Sequence, residues 1–237
     1  MNTTLKVISL LLSYPTQELQ DGVPELNAAV DADSGIGERE ALLIKKLADD
    51  IASLDLYEAQ ERYVYLFDRT RTLSLHLFEH VHGESRDRGS AMVDLLEMYG
   101  NAGFDIDAKE LPDYLPLFLE FLSTKPEGEA GELLGQTAHI LTALRERLKK
   151  RKSIYANAFG ALEVIAKGKP DRALLKDLLD EPLDDPDDLE ALDRVWEEEV
   201  VTFGGNSGEN ACGPDRLRTQ MRAAQRKAPD PSHQTTA

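Results

Sequence analysis

His76-Leu77-Phe78-Glu79-His80 is the stretch of this chain whose residue types and spacing match a reaction centre. The pattern H-x-x-E-H sets two imidazoles one helical turn apart with a carboxylate beside them, the inverted zinc-protease arrangement. His82 and Glu84 follow as further donors, and a distant carboxylate such as Glu163 would have to complete a three-ligand site with an open position. Three readings stand side by side: a zinc-dependent hydrolase, a partner-binding surface, and histidines that cap or pack in a core. So short a motif does not separate them. Downstream, Gly83-Glu84-Ser85-Arg86-Asp87-Arg88-Gly89 reads either as a solvated interhelical loop or as a recognition loop. In the second case its arginines pair with its acids and with His82, since Arg binds a carboxylate through two parallel hydrogen bonds. A third cluster, Glu110-Leu111-Pro112-Asp113-Tyr114-Leu115-Pro116, carries the signature of a helix start. Its prolines suit the first turn, and Asp113 would face the positive end of the backbone dipole. So apolar a continuation, Leu117, Phe118, Leu119, Phe121 and Leu122, requires a helix that is central in a bundle or lines a groove.

Helices must position these clusters. Leucine occurs 36 times against 18 for valine and isoleucine together, and period-2 alternation is nearly absent. The apolar run Leu5 to Tyr14 reads as a first core helix. Leu43, Ile44, Leu47, Ile51 and Leu54 form one helical stripe. Asp55, with Glu58 three residues on, caps a helix that turns Leu56, Ala59, Tyr63, Leu66 and Phe67 inward. Further helices are expected near 73–82, 88–99, 112–123, 128–150, 153–167, 171–180 and 186–203, with Gly168 and Gly204 at left-handed stop positions. The fold class is all-α, a single globular bundle of about nine or ten helices over residues 1–204, followed by a flexible polar tail at 205–237.

Composition narrows the functions. Acids outnumber bases 44 to 27, a net charge of −17, which argues against nucleic acid and for a basic partner segment. Between Asp177 and Glu199 there are 12 acids and one base, Arg194, so this stretch faces water or a cationic partner. A lone thiol, Cys212, forms no intrachain disulfide and fits the cytoplasm. The N-terminal apolar run is too short to span a bilayer, so no membrane insertion is expected. No Walker A, G-x-G-x-x-G, G-x-S-x-G or paired C-x-x-C pattern occurs, so nucleotide, dinucleotide and thiol chemistry lack their usual signatures.

Four segments together resemble one family. They are Tyr63-Val64-Tyr65-Leu66-Phe67-Asp68, the run from Leu77 to Gly89, the run from Glu110 to Pro116, and Val195-Trp196-Glu197-Glu198-Glu199. The resemblance is to the NarJ-type nitrate reductase molybdenum cofactor assembly chaperones, within the redox-enzyme maturation chaperones, and spans residues 5 to about 203. It implies an all-helical cytoplasmic chaperone that is no enzyme and carries no cofactor of its own. Such a protein binds the immature catalytic (alpha) subunit of respiratory nitrate reductase, including its N-terminal peptide. It keeps that subunit competent for molybdenum cofactor insertion before membrane attachment and then leaves, with cofactor-delivery proteins as further partners. A helical scaffold without a loading role is the rival reading from a different class.

The implied client-binding residues fall in three groups. Tyr63, Leu66 and Phe67 lie on one helix; His80, His82, Glu84, Arg86, Asp87 and Arg88 lie in the loop; Glu110, Asp113, Tyr114 and Pro116 lie at the next helix start. The expected groove runs between the first and third groups, with the loop over one end, and receives an amphipathic peptide helix. One departure concerns Tyr114, which stands where the wider family's Glu-x-x-Asp-His signature has histidine. A tyrosine with an ordinary pKa near 10 does not titrate at neutral pH as a histidine does.

Overall fold

Most backbone amides among the described residues find their partners three or four residues back, and the result is a helical bundle. The computed structural model describes residues 2–81, 86–106, 110–185 and 187–188, with the backbone alone at Arg86 and Asp87. Among the described residues there are eleven α-helices, slightly more than expected, and the β-structure is one isolated bridge between His76 and Tyr114. The expected helix at 186–203, the limit at 204 and the polar tail lie outside these residues.

Helix α1 (Thr3–Leu11) is the expected first core helix, capped by the Asn2 side chain, which accepts from the Leu5 amide at 3.1 Å. Two short helices that periodicity did not reveal follow, α2 (Gln17–Asp21) and α3 (Val23–Ala32). The expected stripe becomes α4 (Glu38–Ser53), and α5 (Leu56–Phe67) begins at Asp55, whose carboxylate accepts from the Tyr57 amide at 2.9 Å. After a break come α6 (Arg86–Asn101), α7 (Leu115–Ser123), α8 (Glu127–Gln136), α9 (Ala138–Lys150), α10 (Ala156–Ile165) and α11 (Arg172–Asp180). Helix α1 packs on α7, α10 lies against α4 and α9, and α11 lies on α9. Leu5, Ile8, Leu11, Ile44, Leu47, Leu119, Leu122, Leu141 and Phe159 are fully buried between them. Each such side chain contributes roughly 1.5–3 kcal/mol.

Three local expectations are corrected. The helix expected near 73–82 is not formed over 73–81; 3-10 turns stand at Arg71–Leu73 and Leu77–His80, because amides of this stretch bond to residues far along the chain. The Leu77 amide donates to the Asp113 carbonyl at 3.0 Å, and the Leu115 amide donates to the Leu75 carbonyl at 2.8 Å. The helix read at 128–150 breaks at Thr137, whose hydroxyl bonds back to the Leu134 carbonyl at 2.9 Å. Gly135 permits a close approach just before that break, since a Cβ there would lie 2.0 Å from the Lys167 carbonyl oxygen. Third, α7 starts after Asp113, so that carboxylate is not in its first turn.

Candidate functional site

Where residues 74–80 cross residues 111–116, side chains that are far apart in sequence lock together. Asp113 is fully buried and accepts from the Phe78 amide at 3.0 Å, while its other oxygen stands 3.3 Å from His76 Nδ1. This carboxylate therefore holds the 3-10 turn against the start of α7, in place of the expected contact with a helix dipole. The hydrogen bond to Asp113 raises the His76 pKa, and it outweighs the lowering by burial. His80 behaves oppositely: burial pushes its pKa down, and its Nε2 donates to the Ser74 carbonyl at 2.8 Å. The neutral Nε2–H imidazole fits that site.

The other wall is aromatic. Tyr63 donates its hydroxyl hydrogen to the Leu12 carbonyl at 3.0 Å, so the Tyr114 hydroxyl, 2.8 Å away, must donate to Tyr63. Burial raises the pKa of both phenols, which stay protonated at neutral pH. Tyr114 also lies beside His76, ring centroids 5.4 Å apart. Tyr155 packs edge-on against Phe67 at 5.0 Å and is itself pushed up to about 12 by burial.

The turn so held carries Leu77 and Phe78 to the edge of a cleft of about 300 Å³. Ala91, Leu95 and Met98 of α6, Phe118 of α7 and Leu133 of α8 supply its apolar walls, with Asp94, Gln136 and Thr137 at the rim. A second hollow shares Asp94 and Met98 with it and adds Glu97, Asn101, Ala102 and Lys125, so the depression continues along α6. On the same helix Val93 and Leu96 are exposed. An apolar trough with acids beside it suits an amphipathic helix bearing cations on its flanks.

The sequence-expected site residues divide accordingly. Tyr63, Leu66, Phe67, Asp113 and Pro116 are buried in the core, and none of them lines the cleft. Tyr114 is half-buried and Glu110 exposed. His80 is half-buried and bonded inward. Arg88 approaches Glu79 to 3.3 Å, a link between α6 and the 3-10 turn. His82 and Glu84 lie outside the described residues, as do the side chains of Arg86 and Asp87. The cleft residues Leu95 and Met98 went unnoticed in sequence, although Ala91, Leu95 and Met98 do recur at the spacing of one helical face, whereas Phe118 belongs to the apolar stretch read as central in the bundle or lining a groove.

The zinc reading loses its geometry, because His76 is extended backbone before the 3-10 turn that ends at His80, and each imidazole bonds elsewhere. Among the described residues no group of three or more His, Cys, Asp or Glu side chains is placed to hold a metal ion. No helix among them is long and apolar enough to cross a membrane.

Comparison with known proteins agrees with the resemblance read from the motifs. A family profile described as nitrate reductase delta subunit matches residues 23–161. The nitrate reductase molybdenum cofactor assembly chaperone NarJ of Escherichia coli K12 is 42% identical over 219 residues, covering 92% of this chain and 91% of its own. The probable chaperone of the same description, NarW, from that strain is 40% identical over 227 residues, 95% of this chain and 94% of its own. The probable NarJ of Bacillus subtilis 168 is 34% identical over 167 residues, 68% of this chain and 90% of its own. These relatives are named as assembly chaperones and not as enzymes. With the profile spanning more than half of its length and such relatives nearly all of it, the chain belongs to the nitrate reductase delta subunit family, among its NarJ-type members.

Proposed function

We propose that this protein is a cytoplasmic chaperone for the catalytic subunit of a respiratory nitrate reductase. It holds the immature subunit by its N-terminal segment, keeps it competent for molybdenum cofactor insertion before membrane attachment, and is not retained in the finished enzyme. The observation that carries the reading is the apolar, acid-flanked cleft along α6, an unfilled trough beside a tightly packed core. The names of its relatives support the same reading. In this account Phe78, Leu95, Met98 and Phe118 touch the client helix. Tyr63, Leu66, Phe67, His80, Asp113, Tyr114 and Pro116 set the shape of the support behind it. The loop residues His82, Glu84, Arg86, Asp87 and Arg88, with Glu110, guide the client's charges at the rim. No bond is made or broken, and affinity need only be moderate. A Kd of about 1 µM is roughly −8 kcal/mol, enough to occupy a nascent subunit and weak enough to release it when cofactor loading folds that segment away.

The test is calorimetric titration of a synthetic peptide from the cognate subunit's N-terminus into wild-type, Met98→Asp and Phe78→Ala protein. We expect binding to weaken at least about tenfold in both variants, with melting temperature little changed for Met98→Asp, whose side chain is half-buried. Unaltered affinity in both would remove the cleft from the account. Co-purification of the protein with the catalytic subunit from cells unable to make the cofactor tests partner and timing.

A further inference from the structure

The cleft along α6 differs in chemistry from one end to the other. Around Phe78, Phe118 and Leu133 it is apolar, and apart from Asp94 the residues that line it carry no charge. Its continuation, a hollow of about 460 Å³, is lined by Asp94, Glu97, Met98 and Asn101 of α6, by Ala102 just beyond that helix, and by Lys125. Ala91 lines the first part and Ala102 the second, so the depression runs from the middle of α6 to its C-terminal end.

Negative charge collects at that end. Asp94 and Glu97 are exposed neighbours on one helix face, and neither forms an ion pair among the described residues. The helix terminus adds to them: the carbonyl end of α6 carries a partial negative charge, and no basic residue stands in its last turn. Lys125 is the cation among the residues lining this hollow, and it is engaged elsewhere. Its ammonium lies 3.1 Å from Glu129 and 5.0 Å from the centre of the Phe121 ring. The acids of α6 are left for another cation.

An amphipathic helix laid in the cleft has two possible directions, and this charge separates them. Parallel to α6, it would bring its own negative C-terminal end to Asp94, Glu97 and the α6 carbonyls, where like charges meet. Antiparallel, it brings its positive N-terminal end there, and a cation in its first turn reaches the two carboxylates. At 1.5 Å rise per residue Ala102 stands about 16 Å along the axis from Ala91, so roughly eleven residues of a bound helix cover both parts. Apolar anchors one and two turns after the cation then fall in the part beside Phe78 and Phe118, whose volume of about 300 Å³ accepts them.

We infer that the client segment lies antiparallel to α6, with lysine or arginine side chains of its first turn held by Asp94 and Glu97 and its apolar anchors in the part beside Phe78. This rests on the proposed function and adds which end of the client is read, and by which side chains. The client chain then leaves the cleft at the opposite end, past Phe78 and the start of α6, where Arg88 meets Glu79.

The test titrates the full chain with the cognate N-terminal peptide and with two model peptides of one composition. Both models carry leucine and phenylalanine anchors at helical spacing and have blocked termini; one has its lysines ahead of the anchors, the other behind them. The lysine-first peptide should bind at least about fivefold more tightly at low salt, and the difference should shrink at high salt. Asp94→Asn/Glu97→Gln should weaken the cognate and lysine-first peptides about fivefold to tenfold and leave the lysine-last peptide within about twofold. Asp177→Asn/Asp180→Asn, the same charge change on α11, should alter none of them by more than about twofold. With wild-type protein, a nitroxide on the first residue of the lysine-first peptide should broaden the amide NMR signals of Ala102 and Lys125, and one on its last residue those of Ala91 and Thr137. The inference is overturned if that broadening is reversed, if lysine-last binds as tightly as lysine-first, or if the α11 variant loses as much affinity as the cleft variant. Antiparallel binding of the lysine-first peptide with the cognate peptide ignored would remove the proposed client and leave the direction standing; failure of all three peptides to bind would remove both.

Discussion

Removing the Asp113 carboxylate tests whether this side chain holds the protein together or touches the client. It is fully buried and accepts from the Phe78 amide at 3.0 Å, a charge-assisted bond worth about 1.5–3 kcal/mol. Its contact with His76 at 3.3 Å adds less, roughly 0.5 kcal/mol, because the imidazole is 28% exposed and screened by solvent. Asp113→Ala leaves the Phe78 amide without its acceptor, so the expected loss of unfolding free energy is about 2–3 kcal/mol. For a domain of this size that is a fall of roughly 4–12 °C in Tm. Asp113→Asn keeps one oxygen for the Phe78 amide and should lose only about 1 kcal/mol. Urea unfolding followed by circular dichroism measures both variants, and peptide titration runs in parallel. If Asp113→Ala unfolds within 1 kcal/mol of wild type, or if asparagine is as costly as alanine, the supporting role assigned to this carboxylate is refuted. A loss of affinity with stability intact would mean that it meets the client directly.

Three further outcomes follow from the geometry. Gly135→Ala should destabilise by about 2 kcal/mol or more, since its Cβ would sit 2.0 Å from the Lys167 carbonyl oxygen, whereas Gly89→Ala, with open space around it, should stabilise by roughly 0.5–1 kcal/mol in the same urea assay. Proton NMR titration should find His76 above and His80 below the ordinary histidine value near 6.5. The stabilisation through His76 is then complete below about pH 6.5 and fades as pH rises through its raised pKa; that through His80 is complete above about pH 6.5 and fades as pH falls toward its lowered one. A shared, unshifted midpoint would contradict both environments. Tyr63→Phe removes the hydroxyl that serves the Leu12 carbonyl and Tyr114, and a loss of about 1–2 kcal/mol in thermal or urea melting is expected; no change would mean that water replaces it freely.

Much of the bundle was legible before any coordinates. The stripe Ile44, Leu47 and Ile51 is fully buried along α4, and Asp55 caps α5 through a bond that reaches only two residues. Helix α6 likewise lies where its apolar spacing put it. The errors cluster where partners are distant. The 73–82 segment has helical spacing, yet its amides are claimed by residues near 113, and the H-x-x-E-H pattern loses its one-turn geometry for the same reason. Asp113, placed by local rules at a helix start, turns instead into the core.

The candidate site shows the same division. The motif segments that carry the resemblance are placed by the bundle at the crossing of the 74–80 turn and the start of α7, mostly as support. The cleft itself draws four residues from α6 and one or two from each of several other elements, and no single stretch of sequence contains it. Composition and periodicity determined an all-α, acidic chain, and its motifs pointed to a family, because helices and caps form from contacts within about four residues. Tertiary structure alone decided which polar groups are buried and where a surface is left unfilled, because the Phe78 amide meets its acceptor 35 residues along the chain and Arg147 meets the Thr72 carbonyl 75 residues away.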